Sequence, residues 1–333
     1  MSRLRSPLPI RVAGTGVHLP DTVVTNQRLT EVFDTSDEWI VKRTGIRERR
    51  RLEPELAASD MGVAAARSAL AAAGRTPSDL DAVVVASYTG DQPLPSTALI
   101  VADALGARRA MPIDVTQAAC AASVQGVLLA AHLVAGGGFE TVLVVAAEAA
   151  SRVTDPGDRG TGVFFGDAAA AVVLSRTDAP EAGLLSFDYG SRLSYQVQIP
   201  AGGSRRPPCP ESVATGGHYL AMDGRAVWNT AVINLPASIA AAASRADLTM
   251  ADVDHFFLHQ ANLNILTAVA ERLSVPMARV PITLDKIGNT GSAGAFTALH
   301  EVHSRGLLKP GDQYILSAIG AGFQWGTLCL RHG

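Results

Sequence analysis

Ser78-Asp79-Leu80-Asp81-Ala82-Val83-Val84-Val85 returns, in outline, as Ala251-Asp252-Val253-Asp254-His255-Phe256-Phe257-Leu258, an offset of about 173 residues. Each copy reads as the end of a helix, an acidic turn and a buried strand. A second pair keeps nearly the same spacing: Phe139-Glu140-Thr141-Val142-Leu143-Val144 against Gly311-Asp312-Gln313-Tyr314-Ile315-Leu316. Two copies of one α/β unit are the expectation, with a boundary near 175–181 and halves at 1–178 and 179–333; the alternative reading is that any α/β chain produces such helix-turn-strand echoes by chance. Outward from these strands, β-branched runs such as Ala171-Val172-Val173-Leu174 alternate with alanine-rich segments, the mark of an α/β class. Helices are predicted over 61–73, 121–135, 226–243 and 262–273. Several are apolar on more than one face, which implies helices sandwiched between layers.

The 333 residues, 47% hydrophobic and 18% charged, are enough for a large core. A net charge of −3 leaves no basic surplus for a phosphate backbone, so nucleic acid is not an expected partner. The opening stretch through Gly16 carries three arginines and no apolar run of signal-peptide length. The most apolar region, 121–150, is broken by Gln125, His132, three glycines and Glu140, so it reads as helix, turn and strand rather than a membrane span. Cys120, Cys209 and Cys329 are too few and too scattered for a disulfide framework or a zinc site. A cytoplasmic protein without metal is the expectation. Residues 190–217, rich in Gly, Pro and Ser, read as a long surface loop.

Four segments carry chemistry-bearing residues. Cys120 follows the strand-like Met111-Pro112-Ile113-Asp114-Val115 and precedes an apolar helix closed by Gly136-Gly137-Gly138. A helix N-terminus favours a thiolate, which predicts a lowered pKa. His259 closes a strand, and His259-Gln260-Ala261-Asn262 opens a helix with Asn262 as N-cap. Asn289 lies in the small-residue turn Gly288-Asn289-Thr290-Gly291-Ser292, also before a helix. Gly320-Ala321-Gly322-Phe323-Gln324-Trp325-Gly326 can bring backbone N–H groups close to a ligand.

In this order the segments resemble the β-ketoacyl-acyl carrier protein synthase III family of the thiolase superfamily. The resemblance also takes in Ala13-Gly14-Thr15-Gly16, Thr35-Ser36-Asp37-Glu38-Trp39-Ile40, Arg43-Thr44-Gly45-Ile46-Arg47, Asp155-Pro156-Gly157-Asp158-Arg159-Gly160 and Phe165-Gly166-Asp167. It implies a five-layer αβαβα thiolase-like fold with two pseudo-symmetric halves, in a homodimer. The implied activity is decarboxylative condensation of an acyl group, taken from acyl-CoA onto Cys120, with a malonyl thioester on an acyl carrier protein or CoA. His259 and Asn289 would stabilise the enolate, and the N–H groups of Cys120 and Ala321 would form an oxyanion hole. No cofactor is implied beyond the coenzyme A thioester substrate. Trp39, Arg43, Arg152, Gly224 and Asn262 match coenzyme A positions; Leu94, Trp228 and Phe323 are assigned to the acyl pocket, Leu94 from across the dimer.

The sequence departs from the family pattern in places. Ala321 replaces a glycine, and its backbone donor survives only if it avoids positive φ. Four alanines, Ala168 to Ala171, stand where glycines alternate, and Ala121-Ala122-Ser123 follows Cys120. Asn229, Asn264 and Glu271 stand where basic residues for an acidic carrier protein are common. These departures raise an alternative, a specialised secondary-metabolite priming ketosynthase, or an acyltransferase with a non-malonyl acceptor. A non-catalytic partner subunit is the third reading, disfavoured because the nucleophile is kept.

Overall fold

Two sheets repeat one strand order in the computed structural model, which describes residues 4, 6–116 and 118–333. Arg3 and Arg5, part of the opening stretch read above, lie outside the described residues. The strands are β1 (Ile10–His18), β2 (Ala82–Ala86), β3 (Met111–Val115), β4 (Thr141–Glu148), β5 (Ala168–Arg176), β6 (Gly183–Ser191), β7 (His255–Leu258), β8 (Gln313–Gly320) and β9 (Gln324–Arg331). The first sheet runs β1-β5-β4-β2-β3 and the second β6-β9-β8-β7. In the first, β2 and β4 are parallel while β5 is antiparallel to both β4 and β1. In the second, β7 and β8 are parallel while β9 is antiparallel to both β8 and β6. The quoted repeat is therefore β2 matched to β7, and the second pair is β4 matched to β8.

Helices separate and cover the sheets: α1 (Ala58–Ala73), α2 (Thr97–Leu105), α3 (Ala122–Ala135), α4 (Gly224–Arg245), α5 (Leu263–Arg272) and α6 (Gly294–His303). Period-two alternation fixes the layers, because successive strand residues face opposite sides. Val84, Val142, Val144 and Val172 meet α3 and α6 in a central core, which Phe257, Tyr314 and Leu316 of the second sheet close from the other side. Val83, Val85, Leu143, Val145 and Val173 face outward onto α1 and α2. Phe256, Leu258, Ile315 and Ile319 do the same onto α4 and α5. The order is α1α2, sheet, α3α6, sheet, α4α5, the five layers expected. Each large aliphatic side chain removed from water contributes about 1.5–3 kcal/mol, so strands apolar on both faces are stable only when covered on both.

The alanines of β5 alternate in the same way, Ala168 and Ala170 inward, Ala169 and Ala171 outward. α4 is, among the described residues, the one helix long and apolar enough to cross a membrane; half of it is buried, and it forms an outer layer of the fold. The 190–217 segment departs from the plain loop predicted for it. It contains the short strand Val197–Gln198, paired with Ala221–Met222, and the helix Pro210–Ala214.

Candidate active site

The ends of parallel strands deliver the polar residues to one place. After β3 the chain makes a single 3₁₀ turn, Ala119–Ala121, that carries Cys120 into α3. Ala119 holds a left-handed φ of 45°, a conformation that costs an L-residue roughly 1–2 kcal/mol. Gly320 lets the end of β8 lie against this turn: a Cβ there would stand 1.9 Å from the Ala118 carbonyl oxygen. The close approach puts Ala321 beside Cys120. Among the described non-glycine residues only Ala119, Asp247 and Ser274 have positive φ, so Ala321 keeps ordinary backbone and the positive φ falls on Gly322.

His259 follows β7, its N–H donating 2.9 Å to the Ser317 carbonyl of β8. Burial pulls the imidazole down to about 4, with the Gly291 backbone opposing weakly, so the ring is neutral at pH 7. Gln260, fully buried, anchors this corner by donating to the Leu258 carbonyl and accepting from Thr283 N–H. Asn289 is clamped by backbone: its N–H donates to the Phe164 carbonyl at 2.8 Å, and its own carbonyl accepts from Gly166 N–H at 3.0 Å. Gly166 is required there, since a Cβ would meet the Ile287 oxygen at 2.2 Å. The Asn289 Oδ1 accepts from Gly291 N–H at 3.0 Å. Only the oxygen can meet that donor, which leaves the amide NH2 as the end available to a ligand.

Cys120, His259, Asn289, Ala321 and Phe323 line one cavity of about 240 Å³. Its remaining wall is almost wholly apolar, including Phe165, Val197, Ile199, Leu220, Met222 and Leu235. Cys120 is partly accessible. Its thiol departs from the sequence expectation: burial first, and Glu148 second, push it up to about 12, against a weak pull from its own backbone N–H. Removing a thiolate from water outweighs the helix end. The resting pair is a neutral thiol and a neutral imidazole.

The five residues that the resemblance assigned to coenzyme A lie outside the cavity lining. Trp39, on the helix Asp37–Thr44, is 37% exposed and carries the Arg43 guanidinium 5.7 Å and that of Arg159 5.1 Å from its ring centroid. Arg152 donates to the carbonyls of Glu53 and Leu56. Asn262 caps α5 as predicted, and its amide donates 3.0 Å to the Arg43 carbonyl, fastening the two helices; Ala261, not Asn262, reaches the cavity wall. Gly224 starts α4 with nothing within 4 Å of a Cβ and does not line the cavity.

One acyl-pocket assignment needs correcting. Trp228 is outside the cavity, because Val227, Ala231 and Leu235 present the inward stripe of α4 and the next residue is turned about 100° around the helix. Leu94 is 84% exposed and absent from the cavity of its own chain. Sequence reasoning missed Glu148, fully buried at the end of β4, and Arg49, whose buried guanidinium donates to the Val163 carbonyl and Asn26 Oδ1 and so holds the segment that clamps Asn289. It also missed Val197 and Ile199, which lie where no periodicity marks an element.

Two family models match the chain, both described as 3-oxoacyl-[acyl-carrier-protein (ACP)] synthase III: one over residues 113–192 and its C-terminal counterpart over 243–332. A beta-ketoacyl-[acyl-carrier-protein] synthase III of Symbiobacterium thermophilum is 41% identical over 98% of each chain. The crystal structure of 3-oxoacyl-[acyl-carrier-protein] synthase III from Aquifex aeolicus is similar with a TM-score of 0.89, at 34% identity, covering 97% of this chain and 100% of that one. The priming β-ketosynthase of the R1128 polyketide pathway is similar with a TM-score of 0.90, at 33% identity over 99% and 98%.

Proposed function

The chain belongs to the 3-oxoacyl-[acyl-carrier-protein] synthase III family, and from that premise we propose that it condenses an acyl group from acyl-CoA with a malonyl thioester, releasing carbon dioxide. The supporting observation is the shared cavity of Cys120, His259, Asn289 and Ala321.

In the first half-reaction Cys120 sulfur attacks the acyl-CoA carbonyl, coenzyme A leaves as a thiol, and the acyl group stays as a thioester on Cys120. The N–H groups of Cys120 and Ala321 stabilise the tetrahedral oxyanion. A neutral thiol beside a neutral imidazole makes a standing ion pair unfavourable, so the thiol proton departs as the carbon–sulfur bond forms and ends on the leaving coenzyme A sulfur.

In the second half-reaction a malonyl thioester loses carbon dioxide, and negative charge moves onto its thioester oxygen. Neutral His259 and the Asn289 NH2 are the donors for that enolate. Its carbon attacks the acyl-Cys120 carbonyl, the Cys120 sulfur leaves and regains a proton, and a β-ketoacyl thioester departs. Trp39 with Arg43 and Arg159 forms the adenine platform, Arg152 serves the phosphate end, and Leu94 reaches the pocket of a second copy in a homodimer. An acyl carrier protein is the malonyl carrier, as in the names of the relatives.

Intact mass after incubation with acyl-CoA tests the reading. One acyl group should appear and be lost in Cys120→Ala, and malonyl thioester added to the acyl-enzyme should yield β-ketoacyl product with equimolar carbon dioxide. Ester or amide formation without carbon dioxide would refute it in favour of transfer to another acceptor.

A further inference from the structure

Behind the cavity wall, Glu148 sits at the end of β4 with no exposure. Its Oε2 accepts from Thr89 Oγ1 at 2.6 Å and Ser87 Oγ at 3.3 Å; its Oε1 lies 2.6 Å from Ser292 Oγ and 3.4 Å from the N–H groups of Tyr88 and Ser292. Ser292 Oγ is also 2.8 Å from the Ala86 carbonyl. A hydroxyl has one proton, and a backbone carbonyl can only accept. If Ser292 gives its proton to Ala86, the short contact to Oε1 is a hydrogen bond only when Glu148 itself carries a proton. The chain Glu148 to Ser292 to Ala86 then gives each of those three groups a partner, whereas an ionised Glu148 takes the Ser292 proton and deprives Ala86 of that donor.

Ser292 belongs to the turn that carries Asn289. Gly291 lies between them, donates to the Asn289 Oδ1 and borders His259; a Cβ on it would be 2.9 Å from both Glu148 Cγ and Tyr88 Cε1. We propose that Glu148 is a positioning residue of the condensing site that works as an uncharged acid, donating to Ser292 so that the Asn289–Ser292 turn is held and no anion faces the Cys120 sulfur. The proposal rests on the condensing reading above and adds a residue to it.

The electrostatics agree. Burial raises Glu148 to about 7 against the pull of its hydroxyl and N–H partners. The titratable groups that face it are Tyr88, from the loop after β2, and Cys120, from the turn before α3; burial pushes both up first and the Glu148 charge adds to it, and Asp167 acts on Tyr88 as well. Ser87, Thr89 and Ser292 contribute only neutral donors.

The test follows decarboxylation of malonyl thioester from pH 6 to 9 beside acylation of Cys120 by intact mass. Glu148→Gln presents an NH2 to Ser292 and an oxygen to Thr89, mimicking the protonated acid; Glu148→Ala removes both. Wild type should decarboxylate more slowly above about pH 7, while Glu148→Gln keeps the low-pH rate and loses that decline. Glu148→Ala should lose tenfold or more in decarboxylation with less than threefold change in acylation. The proposal is overturned if Glu148→Gln keeps the wild-type decline, if it decarboxylates as poorly as Glu148→Ala, or if Glu148→Ala slows both half-reactions equally. Should Glu148→Ala not fold, the Glu148→Gln profile still decides. A wild-type enzyme that neither acylates nor decarboxylates defeats the condensing reading instead.

Discussion

Replacing Gly320 by alanine probes the junction on which the candidate site is built. The added Cβ would lie 1.9 Å from the Ala118 oxygen, 3.0 Å from the Ala118 carbon and 2.9 Å from the Ala121 nitrogen, all backbone, so no side-chain rotation relieves the clash. Reaching ordinary contact requires β8 and the Cys120 turn to separate by roughly 1.5 Å, in a core that packs like a solid. Ala321 then withdraws from Cys120, and the oxyanion hole proposed for their two N–H groups is lost. A misplacement of about 1 Å at a reacting centre costs on the order of 100-fold in rate, and overpacking itself costs about 1–3 kcal/mol. Quenched-flow intact mass with saturating acyl-CoA should therefore give acylation of Cys120 at least ~100-fold slower, with a lowered melting temperature. Gly203→Ala, with nothing within 4 Å of its Cβ, is the control and should change neither. A folded Gly320→Ala enzyme that acylates at the wild-type rate would refute the oxyanion geometry assigned to Ala321.

His259→Ala should cut malonyl decarboxylation by about 10²–10³-fold while slowing acylation much less, measured as carbon dioxide release against mass gain. Because the unfolded chain binds a proton on this residue near the ordinary histidine value and the fold resists it down to about 4, stability should fall as pH drops across that window, read as melting temperature at pH 7 and pH 5. Trp39→Ala should raise KM for acyl-CoA about three- to thirtyfold, the worth of a cation–π platform, and leave KM for an acyl-pantetheine lacking adenine unchanged. Leu235→Trp should shift starter preference toward shorter acyl groups in a competition assay; Trp228→Ala, outside the cavity, should leave it unaltered.

The layered fold was legible because its evidence is local. A strand covered on both faces must be apolar throughout, and an acidic turn before it repeats wherever the α/β unit repeats. The catalytic candidates were legible as positions, since strand ends and helix starts carry their own markers. Other features depend on residues far apart in sequence. Glu148 closes an apolar strand, and the groups that give it meaning are Thr89 and Ser292, brought together only by the fold. Trp228, assigned to the acyl pocket, lies on a helix rich in apolar residues on several faces, so composition alone does not say which stripe meets the cavity.

The Cys120 thiol shows the same limit in energetic form. Its place beside a helix N-terminus was readable, and a helix end is worth about 0.3–1 kcal/mol to an anion, up to ~2 when partly buried. Burial can raise a thiol by up to about 3–5 pKa units, each worth 1.36 kcal/mol, and at the partly accessible Cys120 it outweighs the helix end. An enzyme with such a thiol cannot rely on a standing thiolate. On the mechanism proposed for it, the nucleophile forms only when an acyl thioester occupies the cavity and the developing oxyanion, held by backbone N–H groups, offsets the charge that burial opposes. On that account Cys120 should be sluggish toward small alkylating agents at neutral pH yet quick toward its own acyl-CoA, because only the thioester brings an oxygen to the N–H groups of Cys120 and Ala321.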